Sequence, residues 1–324
     1  MKNLELPSNP LRRYTEIYEA LSAQRKWYQG AIGYRFAALT LATTRGHADS
    51  IAESLQLIAE KLKKRAGWLG PLASPVRVVV GAILLRSGDD PDDFCDEVDR
   101  VRNLFRKHGL ARGGIYEAMA ALLMRSHRAP VKDLDVIRFK AMYELMKKHH
   151  WWLTGVGDYP YCAAFAVLDE PVSQISDRVE HLYELLLKAG CSRGDPLQRV
   201  SHMLYLNPKP DEEIISRFVS LREAVKAAGT KIYQSDWDEL ALLTFCDQSV
   251  PQVVGETLAF RDAMLELKPG VGRWIAFTLG SSIAFLKLTG GAGVISDTKA
   301  IEDFQLILQE QQAAAAGAAA GAAT

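Results

Sequence analysis

Residues 94–124 read FCDEVDRVRNLFRKHGLARGGIYEAMAALLM, and residues 175–205 read ISDRVEHLYELLLKAGCSRGDPLQRVSHMLY. At a constant offset of 81 the two stretches align without a gap. Asp96 meets Asp177, Val98 meets Val179 and Leu104 meets Leu185. Lys107 meets Lys188, Gly109 meets Gly190, Arg112–Gly113 meets Arg193–Gly194, and Leu123 meets Leu204. Glycines and apolar positions recurring in one register mark two copies of a supersecondary unit. An offset of 81 is too long for one common helical repeat and suits two units of about 40 residues.

Outward from this pair, short apolar runs recur at the half-period: Phe36–Ala42, Val78–Leu85, Ala118–Met124, Cys162–Leu168, Val200–Leu206, Leu240–Phe245 and Ile275–Leu286. Each of the first six leads into a break rich in Asp, Pro, Ser or Asn, and then into a longer amphipathic stretch. Those stretches have helical period. Phe94, Val98, Val101, Leu104 and Phe105 fall on one helix face, as do Ile175, Val179, Leu182, Leu185 and Leu186, and Ile214, Ile215, Phe218, Leu221 and Val225. No comparable period-two alternation argues for strands.

The breaks read as helix starts. Pro91 with Asp92 and Asp93, Pro171 with Ser173, and Pro210 with Asp211, Glu212 and Glu213 put proline and acids where unpaired N–H groups need them. Gly109, Gly190 and Gly229 sit where a left-handed residue would close the long helix. The expected fold is therefore all-α: tandem helical-hairpin repeats in an α/α solenoid, with closure into an α/α toroid left open. Each unit pairs a short, apolar inner helix with a longer amphipathic outer one, and neighbours must stack to bury the inner helix. The expected divisions are an N-terminal segment and cap helix (1–33, with the helix over 14–28), the array (34–290), a C-terminal helix (291–312), and an Ala/Gly-rich tail (313–324) read as frayed or a linker.

Composition narrows the function classes. The 324 residues carry 39 basic and 39 acidic side chains, so the chain lacks the basic excess that drives binding to phosphates, which argues against nucleic acid as a partner. At 48% hydrophobic it can bury a large core. Cys95, Cys162, Cys191 and Cys246 are widely spaced with no CxxC pair, which reads as free thiols in a reducing compartment. Met1 to Tyr14 lacks the apolar core of a secretory signal, and Trp274–Leu288 is broken by Gly280, Ser281 and Ser282, so neither a leader nor a membrane span is expected. A cytoplasmic location follows.

At this point the residues resemble a known family. The stretch Lys188–Ala189–Gly190–Cys191–Ser192–Arg193–Gly194, Leu153–Thr154–Gly155 followed by Asp158–Tyr159–Pro160, and Leu197–Gln198 with Ser201–His202 look like a bacterial family known as the domain of unknown function number 4003. The resemblance covers roughly residues 10–310. It implies a helical repeat fold and no established activity, and it carries over no catalytic residue.

Candidate site residues follow from chemistry alone. Asp89, Asp90 and Asp93 complete a DDxxD pattern, which in prenyl-diphosphate enzymes holds Mg²⁺ against the diphosphate. The competing account is stronger: equivalent turns at Asp169–Glu170 and Asp211–Glu213 are also acidic, and acids at helix starts stabilise the helix dipole. His202 occupies an apolar helix where the copy 81 residues earlier has Ala121. It reads either as a pocket residue or as a buried structural histidine, with Gln198 one turn away as its potential partner. Arg35, Arg77, Asp158 and Asp238 precede short helices at related positions, which suggests a ligand-binding rim or a salt-bridge ladder. Trp151 and Trp152, after His149 and His150, form an interaction hot spot or a buried corner. The glycine clusters at 269–273 and 290–293 follow no strand and read as helix stops. The favoured function is a protein- or peptide-binding scaffold. The alternative is an enzyme or small-molecule binder with an apolar cavity, in its concrete form a Mg²⁺-dependent prenyl-diphosphate enzyme.

Overall fold

A computed structural model of the chain describes residues 7–24, 31–66, 76–125, 129–268 and 270–290. The expected C-terminal helix at 291–312, the tail from 313, the end of the helix expected over 14–28, and residues 269 and 291–293 of the glycine clusters lie outside the described residues. Among the described residues there are fourteen α-helices and no strand.

They divide into two compact units, one ending at Val101 and the other beginning at Arg102. The first holds α1 (Pro10–Ala23), α2 (Ala31–Leu41), α3 (Ala48–Ala66), α4 (Arg77–Ser87) and most of α5 (Pro91–Lys107). Here α2 packs against α1 and α4, and α3 against α1 and α4. The second holds α6 (Ile115–Met124), α7 (Asp133–His150), α8 (Tyr159–Ala166), α9 (Val172–Lys188), α10 (Asp195–Tyr205), α11 (Asp211–Ala227), α12 (Trp237–Leu243), α13 (Val250–Glu266) and α14 (Arg273–Thr289). Its even-numbered helices pack on one another, α6 on α8, α10 on α12 and α12 on α14, while α7, α9, α11 and α13 form a second succession.

Sequence chemistry explains the contrast between the two sets. All eight residues of α8 and all seven of α12 are buried. The long helices bury one stripe each: Ile175, Val179, Leu182, Tyr183 and Leu186 in α9, and Ile214, Ile215, Phe218, Leu221 and Val225 in α11. Burying each such side chain contributes about 1.5–3 kcal/mol, so the stripe decides which way each helix faces.

The ends behave as their residues dictate. Gly190 has φ +83°, a left-handed conformation that a side chain disfavours, and its N–H donates to the Leu187 carbonyl while Cys191 N–H reaches back to Leu186. Gly109 and Gly229 close α5 and α11 in the same way. α1 starts at Pro10, earlier than its apolar periodicity suggests, because the Asn9 side chain accepts from Arg12 N–H and proline suits the first turn. α14 is longer than the other buried helices, and it lies so close to α13 that a Cβ on Gly280 would sit 2.6 Å from the Arg261 backbone nitrogen.

Candidate functional site

The acidic turn before α5 is occupied by the helix itself. Asp90 Oδ1 accepts from Asp92 N–H at 2.8 Å and Asp93 N–H at 3.2 Å. Lys61 of α3 lies 3.8 Å from Asp90 and 3.6 Å from Asp92, and Arg65 lies 3.8 Å from Asp92. Among the described residues no group of three or more His, Cys, Asp or Glu side chains is placed to hold a metal ion. Asp90 thus caps the start of α5, with Asp89 just before it and Asp93 in the first turn. The proline within the motif starts the helix, so the carboxylates surround an N-terminus instead of lining one face.

His202 lies in the interior of the second unit. Its ring sits 4.7 Å from that of Tyr161 and 5.7 Å from that of Phe165, both on α8. Burial, with smaller contributions from His150 and Arg199, pushes its pKa down to about 3, so the ring is neutral at physiological pH. Among the described residues its Nδ1 has no hydrogen-bond partner, and neither does the Tyr161 hydroxyl. Gln198 is not its partner: Gln198 Nε2 reaches across to Asp158 Oδ1 at 3.2 Å. Asp158 also accepts from Gly155 N–H at 2.9 Å. Burial is the main cause that lifts its carboxyl to about 6, and Asp236 is lifted to about 6 for the same first reason.

The four rim residues do not share one position. Arg35 lies inside α2, buried 4.4 Å over the Tyr18 ring, and not ahead of the helix as expected. Its register was misread because the apolar run begins only at Phe36, whereas the helix already includes Ala31. Arg77 is the first residue of α4. Asp158 precedes α8, and Asp238 is inside α12. Asp158 and Asp238 bond to neighbours, not to each other.

Those bonds belong to a series. Gln198 to Asp158, Arg199 to Asp238 (3.0 Å) and Glu239 to Thr278 (2.8 Å) each join a buried helix, or in Asp158 the turn that leads into one, to the next, across 40, 39 and 39 residues. A second series runs from the long helices. Arg138 donates to the carbonyls of Ala166, Leu168 and Glu170. Arg178 does the same to Tyr205, Asn207 and Lys209 and also binds Asp211 at 2.9 Å, while Arg217 donates to Gln248. These arginines satisfy carbonyls at the ends of α8 and α10 and in the turns that follow α8, α10 and α12. Sequence reasoning missed them, although their recurrence at 138, 178 and 217 was there to be seen.

The solvent face of α7 is different. Of the seven large apolar side chains left exposed among the described residues, four belong to α7 or the turn that ends it: Leu134 (61%), Ile137 (47%), Trp151 (73%) and Trp152 (57%). The opposite face buries Val136, Phe139, Met142, Tyr143, Met146 and His150. The His–Trp cluster is thus split. His150 turns inward onto Tyr183, with ring centroids 4.4 Å apart, and binds Glu180 at 2.8 Å. That hydrogen bond is the first cause holding the Glu180 carboxyl below its ordinary range. The tryptophans turn outward, edge to face, 5.9 Å apart.

Burial raises the pKa of all four thiols, that of Cys246 to about 12, which keeps them protonated and weakly nucleophilic. No described helix is long and apolar enough to cross a membrane.

The family described as "Protein of unknown function (DUF4003)" matches residues 17–312. This chain belongs to that family. It is also similar to the uncharacterized protein YeaA of Bacillus subtilis (strain 168), 26% identical over 240 residues that cover 73% of this chain and 72% of YeaA. No solved structure matches it. The motif stretches around Gly155–Asp158, Lys188–Gly194 and Gln198–His202 all fall within the DUF4003 match, and in the structure they supply a capped helix start, a glycine helix stop and the buried polar series.

Proposed function

We propose that this DUF4003 protein is a helical scaffold of tandem hairpins that docks a protein partner on the outer face of α7. The observation that carries the reading is that α7 and the turn that ends it place large apolar side chains on both sides, among charged ones on the solvent side. One side fills the core, and the other presents Leu134, Ile137, Trp151 and Trp152 to solvent. The largest exposed apolar patch on a protein surface often marks a binding site, and tryptophan is among the side chains most enriched in binding hot spots. Supporting the hairpin repeat are the inter-helix bonds that recur across 40, 39 and 39 residues. Supporting a reducing compartment are four unpaired, buried cysteines.

The test is cross-linking of the chain in living cells, read by mass spectrometry. Lys140, Lys147 and Lys148 lie on or beside the exposed face and are the expected anchor points. Ile137→Asp with Trp151→Ser should abolish their intermolecular cross-links while leaving the melting temperature nearly unchanged, because both side chains are exposed. Cross-links that persist in this variant, or that gather on other helices, would contradict the reading.

A further inference from the structure

α7 carries its charges in an order that a second α7 complements. Asp133 and Asp135 stand in its first turn, and Lys147, Lys148 and His149 in its last. Acid-first, base-last order also suits a helix's own dipole, and α5 has it too. What sets α7 apart is the apolar stripe between the charged ends. Leu134, Ile137, Ala141, Leu145 and the Lys148 stem follow one another at spacings of three and four, on the side opposite the core.

We propose, resting on the docking role of this face, that its partner is a second copy of the chain, bound through antiparallel α7 helices about a two-fold axis near Ala141. Antiparallel pairing sets the acidic first turn of each copy beside the basic last turn of the other. Parallel pairing would set like charges together. Ile137 of one copy then meets Leu145 of the other, and Leu134 meets the Lys148 stem. Trp151 and Trp152 reach over the start of the other helix, where Pro130 is exposed. Ala141, the smallest side chain of the stripe, falls on the axis, where two backbones approach most closely. Asp133 already engages Lys107 (3.2 Å) and His108 (3.1 Å), so the apolar contacts supply most of the association and the charges mainly set its direction. Two tryptophans and two aliphatic side chains offer roughly 500 Å² per copy, about 1,000 Å² for the pair, which reaches the lower size limit of a specific interface. A two-fold pairing uses one patch twice and closes on itself.

The experiment uses the full chain. Sedimentation at micromolar concentration should give a dimer, and Ile137→Asp should weaken it roughly a hundredfold, because a charge then needs burial. Ala141→Cys should form an intermolecular disulfide under mild oxidation. Leu134→Cys alone should not, but combined with Lys148→Cys it should. The four native cysteines are buried and do not compete. A monomer at all concentrations with no Ala141→Cys cross-link overturns the proposal, as does a dimer indifferent to Ile137→Asp. If the chain is monomeric yet Ile137→Asp still removes cellular cross-links, self-pairing falls and the docking role stands. If neither effect is seen, both fall.

Discussion

His202 is held neutral by its surroundings, and acid exposes the cost. Its pKa lies near 3 in the folded chain and near 6.5 when unfolded, so the unfolded state binds more protons between these values. The stability linked to His202 is complete above pH 6.5 and is lost as pH falls toward 3, by an amount of order 4 kcal/mol. Asp158 works in the opposite sense. With its carboxyl raised to about 6, stability is greatest below the unfolded value and falls as pH rises through about 6. Two variants separate the effects. His202→Phe should leave stability at neutral pH unchanged or higher, since Nδ1 loses no bond, and should remove much of the loss between pH 6 and 4.5. Asp158→Asn should gain on the parent as pH rises from 4.5 to 7.5. Melting temperatures across that range check both, and curves parallel to the parent's would refute the assignment. The sequence revealed that His202 is interior, because its helix is apolar. It did not reveal where Gln198 points, because a rotamer depends on what stands across the gap.

At the scale of the element, the helix stops were legible and the clamps were not. A glycine one step past a periodic stretch has few other uses, and Gly109, Gly190 and Gly229 all adopt positive φ. Gly190→Ala should cost about 1 kcal/mol in chemical unfolding, the penalty of a side chain in a left-handed residue. Gly280→Ala should cost more, about 3 kcal/mol, because the new Cβ meets α13 backbone that cannot rotate aside. In the sequence Arg178 is one charged residue among several on an amphipathic helix. Only the fold shows that its guanidinium gathers three carbonyls and Asp211. Arg178→Met keeps the stem and removes those bonds, and it should destabilise the chain by about 2–3 kcal/mol in the same assay. Arg199→Met should behave similarly, by leaving Asp238 without that partner.

For the whole molecule, the offset of 81 was readable because two stretches of long helix, glycine stop and short helix use the same small set of residues at matching places. The division between Val101 and Arg102 was not readable, since no glycine or proline interrupts α5 there. The exposed apolar face of α7 was half legible. Trp151 and Trp152 drew notice as a pair, but the stripe behind them was hidden by the buried face of the same helix, which scrambles the amphipathic pattern when both sides are apolar. The central claim is that this second face is covered by protein when the chain works. Hydroxyl-radical footprinting tests it most directly, by comparing labelling of Leu134, Ile137, Trp151 and Trp152 in the dilute purified chain with labelling in intact cells. The account predicts that these four side chains label strongly when dilute and are protected several-fold in the cell, while exposed Leu57 on α3 and Tyr233 label equally in both. Equal labelling of the α7 face in both settings would contradict it.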